Sequence, residues 1–297
     1  MGRLLFQVRH WRVRQPRRLV HGLAVLAALA APAAFAAAAS AEGPVRLLSA
    51  TLHEPREGLV AAPLPNGEVL IAGGYNGSKD LNTAELYNPA NESFEQLSEK
   101  MKSARSVAVA APLPNGEVLI AGGYNGLTDV NTAELFNPET KSFESITATE
   151  VSVRYRATAI TLSNGNVLIV GGLNGERKNV APAEIYNTAE NKFEELKSKP
   201  LVVRGSKPEV VRYAPGKVLI TGGTSFAGSY PGSAELFNEA TDQFEPAPGA
   251  VEATVREGAA AFSFPGGDTF LAGGWNGGPL ATVEEFYPST GTFAAMP

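Results

Sequence analysis

The chain repeats itself, and the repeat limits what it can fold into. Residues 60–77 read VAAPLPNGEVLIAGGYNG, and the same eighteen letters return at residues 109–126. Paired glycines fall at Gly73-Gly74, Gly122-Gly123, Gly171-Gly172, Gly222-Gly223 and Gly273-Gly274, at spacings of 49, 49, 51 and 51. Self-similarity at such a period marks a repeat architecture, in which each unit buries its apolar faces against its neighbours. Other features keep register with the glycines. An arginine stands 17 residues before the first glycine in four units (Arg56, Arg105, Arg154, Arg256), and Arg204 stands 18 before in the fourth. A turn signal sits at Asn66-Gly67, Asn115-Gly116, Asn164-Gly165, Pro215-Gly216 and Gly266-Gly267. A segment of the type Ala-Glu-Leu-Tyr follows at 84–87, 133–136, 183–186, 234–237 and 283–286, and Phe94, Phe143, Phe193, Phe244 and Phe293 close the units.

Each unit reads as four short strands. In the second unit the first strand is expected over Ser106–Ala110, small and apolar. The second is Glu-Val-Leu-Ile-Ala, joined to the first through Asn-Gly, a dipeptide that suits a type I′ hairpin turn. The third is Ala-Glu-Leu-Phe. A turn at Asn137-Pro138-Glu139-Thr140 leads to the fourth, which begins near Phe143. No stretch beyond the N-terminal leader holds a helical apolar period. The expectation is an all-β chain: a β-propeller of four-stranded antiparallel blades, with five repeats at about 56–104, 105–153, 154–203, 204–255 and 256–297. The recurring aromatics are assigned to packing between blades.

Residues 1–41 are a different material. They carry Arg3, Arg9, Arg12, Arg14, Arg17 and Arg18 and no acid, then a Leu/Ala-rich run to Ala39, and Ala39-Ser40-Ala41 as a small-x-small site. A basic start, an apolar core and such a site read as a secretory signal peptide, with an uncleaved anchor as the competing reading. Arg17-Arg18 leaves twin-arginine export open beside the general route. The expectation is a secreted or cell-envelope protein with no membrane span after cleavage. Losing six positive charges takes the remainder from a net charge of −5 to −11. Such a domain repels phosphate backbones, so nucleic acid is not an expected partner. With no cysteine among 297 residues, the fold rests on packing and hydrogen bonds.

The second copy, RSVAVAAPLPNGEVLIAGGYNGLTDVNTAELFNPETKSF, resembles the kelch repeat. The resemblance extends five times over about residues 45–297. It departs from the family in its closing aromatic, which is Phe where kelch units often carry Trp, and in unit four, where Thr224-Ser225-Phe226 replaces Tyr-Asn-Gly. It implies a propeller that usually has six or seven blades. The five visible units leave two readings: a five-bladed ring with a spare outer strand at Val45–Ala50, or an incomplete sequence.

The resemblance also raises the copper chemistry of galactose oxidase, which in that family needs histidines, tyrosines and a cysteine cross-linked to tyrosine. This chain has no cysteine, and His53 is its only histidine beyond the leader. The copper site is therefore excluded, as are Cys/His zinc sites, and no cofactor is expected. Paired carboxylates could still serve a glycosidase-like enzyme. The repeated Glu85, Glu134, Glu184, Glu235 and Glu284 suit blade structure better than catalysis, and the unrepeated Asp268 and Glu257 are not singled out by any pattern. A non-catalytic interaction module binding a protein or polysaccharide is the expectation, with the carbohydrate-active enzyme as its alternative.

Two loop sets supply candidate contacts. The loops after strand two offer Tyr75, Asn76, Tyr124, Asn125, Asn174, Trp275 and Asn276, aromatic and amide groups suited to sugar faces or protein partners. The same Tyr-Asn-Gly could equally form a tight turn. The loops before strand one deliver Arg56, Arg105, Arg154, Arg204 and Arg256 towards one opening, where guanidinium groups could clamp an anionic ligand. Because arginine and glutamate repeat together, bracing of each blade is the favoured alternative for the arginines.

Overall fold

A computed structural model describes residues 48–146, 153–225, 228–264 and 267–296. The signal-peptide reading and the first half of Val45–Ala50 lie outside the described residues.

The described chain forms five four-stranded antiparallel sheets in sequence order. Blade 1 holds β1 (Val60–Pro63), β2 (Val69–Ala72), β3 (Ala84–Asn88) and β4 (Ser93–Gln96). Blade 2 holds β5 (Val109–Pro112), β6 (Val118–Ala121), β7 (Ala133–Asn137) and β8 (Ser142–Ile146). Blade 3 holds β9 (Thr158–Thr161), β10 (Val167–Val170), β11 (Glu184–Asn187) and β12 (Lys192–Glu195). Blade 4 is longer, with β13 (Ser206–Ala214), β14 (Lys217–Thr224), β15 (Ser233–Asn238) and β16 (Gln243–Val251). Blade 5 holds β17 (Ala260–Ser263), β18 (Thr269–Ala272), β19 (Val283–Tyr287) and β20 (Thr292–Ala295). The five blades are those of a propeller, with β1, β5, β9, β13 and β17 packed side by side in chain order.

Apolar clusters fill the seams, because strand residues alternate between two faces and each face meets a neighbouring blade. Val60, Ala62 and Leu70 of blade 1 pack on Val118, Ile120 and Phe136 of blade 2, and equivalent residues repeat this to blade 5. Burying one such side chain is worth about 1.5–3 kcal/mol. The strand-three aromatic and the closing phenylalanine form the same pair in every blade: Tyr87–Phe94, Phe136–Phe143 and Tyr186–Phe193 at 5.0 Å, Phe237–Phe244 and Phe286–Phe293 at 5.1 Å. These rings pack, as expected.

The ends of the series differ from its middle. Val118 and Ile120 are fully buried, whereas their blade 1 counterparts Val69 and Ile71 are only half-buried. On the opposite face of blade 5, Phe262 and Phe264 are exposed. Among the described residues, four seams carry a buried apolar cluster, between consecutive blades.

Two local expectations are corrected. The hairpin turn is not type I′, which needs positive φ at both central residues. Only the glycine of Asn115-Gly116 has positive φ (89°), and its N–H bonds back to the Leu113 carbonyl at 2.9 Å. Pro114 presets a type I turn, and Gly116 follows it as the left-handed residue of a bulge. The first strand begins at Val109, not Ser106, because Val107 leaves the extended region with φ 48° to bond the preceding blade. That departure recurs. The Val107 amide donates to the Gly58 carbonyl (2.7 Å), Arg156 to Val107 (2.9 Å), Lys207 to Arg156 (2.8 Å) and Gly258 to Lys207 (3.3 Å). All five residues have positive φ. Together they make a backbone collar that ties the blades at one end of the inner strands.

Candidate functional site

The five repeated arginines sit just outside the collar, one at the start of each blade, and they face inwards. Arg105 is fully buried: its guanidinium donates to the carbonyls of Gly122 and Thr132, both at 2.9 Å, and to Glu134 Oε1 at 2.8 Å. Arg56 meets Gly73 and Thr83 carbonyls at 2.9 Å and Glu85 at 3.1 Å. Arg154 binds the Gly171 carbonyl and pairs with Glu184 at 3.0 Å. Arg204 pairs with Glu235 at 3.4 Å and bonds the Gly222 and Ser233 carbonyls. Arg256 bonds the Gly273 carbonyl and Glu284.

The glutamates have a second duty: their carboxylates accept backbone N–H groups of the loop arriving from the preceding blade. Glu134 takes Lys102 (2.7 Å) and Ser103 (3.1 Å), Glu284 takes Ala253 (2.7 Å) and Thr254 (2.9 Å), and Glu235 takes Leu201 (2.6 Å). At Glu85, burial opposes ionisation, but hydrogen bonds from the His53 amide and ring and from Arg56 hold the carboxyl below its ordinary range. At Glu235 the Arg204 contact is longer and burial wins, so that carboxyl is raised. The arginines are therefore corners of the scaffold. With every guanidinium turned into protein, the anion-clamp expectation for Arg56, Arg105, Arg154, Arg204 and Arg256 gives way to bracing.

The open space lies on the other side of the collar. A cavity of about 950 Å³ is lined by Tyr75, Tyr124 and Tyr155, with Arg156, Arg177 and Lys207 among its neighbours. Glu57, Asp129, Asn174 and Glu176 also reach it. The loops after strand two carry Tyr75, Tyr124 and Asn174 to the wall. Tyr124 and Tyr155 lie 6.2 Å apart, a tilted aromatic pair. Asn76, Asn125 and Asn174 spend their side-chain carbonyls on turns: Asn76 accepts from Ser78 (2.9 Å), Asn125 from Thr128 (2.9 Å) and Asn174 from Lys178 (2.9 Å). Trp275 and Asn276 are exposed on blade 5, away from the residues that line the cavity.

The cations of this wall were missed by looking for what repeats. Arg156 and Lys207 occupy the collar position that holds Gly58, Val107 and Gly258 in other blades. The departure from the repeat was the available signal. None of Arg156, Arg177 and Lys207 has a carboxylate partner among the described residues. Of the nearby acids, Glu176 is paired with Lys178 at 2.6 Å, and burial pushes Asp129 above the ordinary aspartate value. The wall is therefore aromatic, and its three cations stand beside the acids Glu57, Asp129 and Glu176. Among the described residues no group of three His, Asp or Glu side chains could hold a metal ion.

The profile of the Kelch motif matches residues 59–101 and 105–148, the first two blades. The first two blades are kelch repeats. Blades 3 to 5 follow the same strand order, arginine corner and aromatic pair. Kelch repeats build interaction modules that are generally non-catalytic, and they suggest a protein partner. A search of curated proteins returns no match to the chain.

Proposed function

We propose that this kelch propeller is an exported, non-catalytic interaction module that holds an acidic stretch of a partner protein at the mouth above the collar. The observation that carries the reading is the set Arg156, Arg177 and Lys207, three cations without carboxylate partners beside three tyrosines in one cavity. Guanidinium groups grip carboxylates by paired hydrogen bonds, and tyrosines add contact area at small entropic cost. The basic and apolar leader over residues 1–41 supports export. Among the described residues no helix is long and apolar enough to cross a membrane.

A fluorescein-labelled hexaglutamate peptide, read by anisotropy, is the test. Binding is expected to weaken as salt rises from 50 to 200 mM, since exposed charges are screened over about 8–10 Å. The triple variant Arg156→Ala/Arg177→Ala/Lys207→Ala is expected to lose at least about tenfold in affinity, or roughly 1.4 kcal/mol. Undiminished binding by that variant would remove the mouth as the site. Preference for polygalacturonate over the peptide would move the partner class to acidic polysaccharide.

A further inference from the structure

The seam between blades 4 and 5 differs in chemistry from the first seam. Three buried positions there hold Val60, Ala72 and Met101, an apolar set. Their counterparts in the fourth seam are Glu209, Thr221 and Glu252, all buried. Glu209 and Thr221 have no like residue at the same position of the other units, while Glu252 shares its place, four residues before the arginine, with Glu150.

The two acids cross the seam in opposite directions. Glu209 sits on β13 of blade 4, and its Oε1 accepts the Ala259 N–H of blade 5 at 2.6 Å. Glu252 lies in the loop entering blade 5, and its Oε1 accepts the Gly222 N–H of blade 4 at 2.8 Å and the Thr221 hydroxyl. In each acid the second oxygen, Oε2, is buried without a hydrogen-bond partner.

Two ion pairs stand beside them. Arg204 and Glu235 face the pair from blade 4; Arg256 and Glu284 face it from blade 5. Arg204 is paired with Glu235 and Arg256 with Glu284, although Arg256 Nε also stands 3.7 Å from Glu252 Oε2. These four charges cancel. Ionising both Glu209 and Glu252 would add two uncompensated negatives to a dry seam, which costs far more than burying two neutral acids.

We propose that the fourth seam is a proton-operated latch, closed while Glu209 and Glu252 are neutral and loosened as they ionise. Burial, reinforced by Glu252, pushes the Glu209 carboxyl up to about 8. Burial also pushes Glu252 up to about 7, against its hydrogen bonds from Thr221 and Gly222. Both folded values lie above that of an unfolded glutamate, so the folded state holds protons that the unfolded chain releases. Their stabilisation is complete at pH 4 and is lost as pH rises through about 7 and about 8. The paired carboxylates held low, such as Glu85, gain their stability below this window and do not mask it.

The test is urea unfolding of the full chain between pH 6 and pH 8.5. The unfolding equilibrium constant is expected to rise by up to about tenfold per pH unit for each extra proton held by the folded state. The double variant Glu209→Gln/Glu252→Gln should lose that slope. If it does not fold, Glu209→Val/Glu252→Met, which installs the apolar chemistry of the first seam, serves the same purpose. Hydrogen exchange should show residues 250–262 opening as pH rises, after correction for the intrinsic rate, while residues 55–72 do not. A wild-type stability that stays level or rises with pH, or a slope that survives in the double variant, would overturn the latch.

Discussion

Replacing Arg105 with alanine is expected to destabilise the protein by about 3–5 kcal/mol, the range for breaking one partner of a buried ion pair. The substitution leaves Glu134 as a buried anion that retains only the Lys102 and Ser103 amides. It also strips a donor from the carbonyls of Gly122 and Thr132. For a domain of this size the loss should lower the midpoint of thermal unfolding on the order of 10 °C. Arg105→Lys should recover part of the loss, since one ammonium keeps the charge but cannot span the same acceptors. A shift below about 2 °C for Arg105→Ala, read by calorimetry, would return the repeated arginines to the list of candidate binding groups.

Gly73→Ala should cost a comparable amount through a different mechanism. At φ 65° a Cβ on residue 73 would lie 2.3 Å from the carbonyl oxygen of Arg105, a backbone atom of the next blade. The adjacent amide, that of Gly74, already donates to that same carbonyl at 2.9 Å. The seam would have to part, so we expect a loss above about 3 kcal/mol, in the range reserved for named structural faults. Gly67→Ala is the control. Its φ is 86°, but no atom lies within 4 Å of the added methyl. It should carry only the cost of a left-handed alanine, about 1–2 kcal/mol. Equal losses at the two positions would mean that the close approach contributes nothing.

These two experiments probe features that the sequence displays. The blades were readable because the repeat writes the same residue at the same structural duty five times: arginine at the corner, paired glycines at the close approach, an aromatic pair on the seam. The turn subtype was less readable. Asn-Gly suggested type I′, but Pro114 ahead of it favours another geometry, and the proline decided. The collar was hidden because Val107, Arg156 and Lys207 adopt positive φ against their own preference. Only a bond to the neighbouring blade makes that conformation worthwhile, and a sequence does not display its neighbours.

The candidate site divided along the same line. That Tyr75, Tyr124 and Asn174 lie in loops was readable, because the loops after strand two follow the glycines that end it. The repeated arginines look like a ring of free cations on paper, yet repetition itself argued that each serves its own blade, and the buried Arg–Glu pairs agree. Arg156, Arg177 and Lys207 drew no attention because they follow no pattern. The same holds for Glu209 and Glu252, whose significance lies in standing where the first seam holds Val60 and Met101.

The collar also separates support from display. Its ties are made by main-chain N–H and carbonyl groups alone, so the polymer backbone links the five blades in a row while the side chain at each station is not needed for the tie. Glycine, valine, arginine and lysine already occupy equivalent stations without interrupting it. A designer could therefore treat residues 107, 156 and 207 as sockets on one rail and change their side chains while leaving the blades untouched, whereas at residue 58 an added Cβ would stand 2.9 Å from Val107 Cγ1.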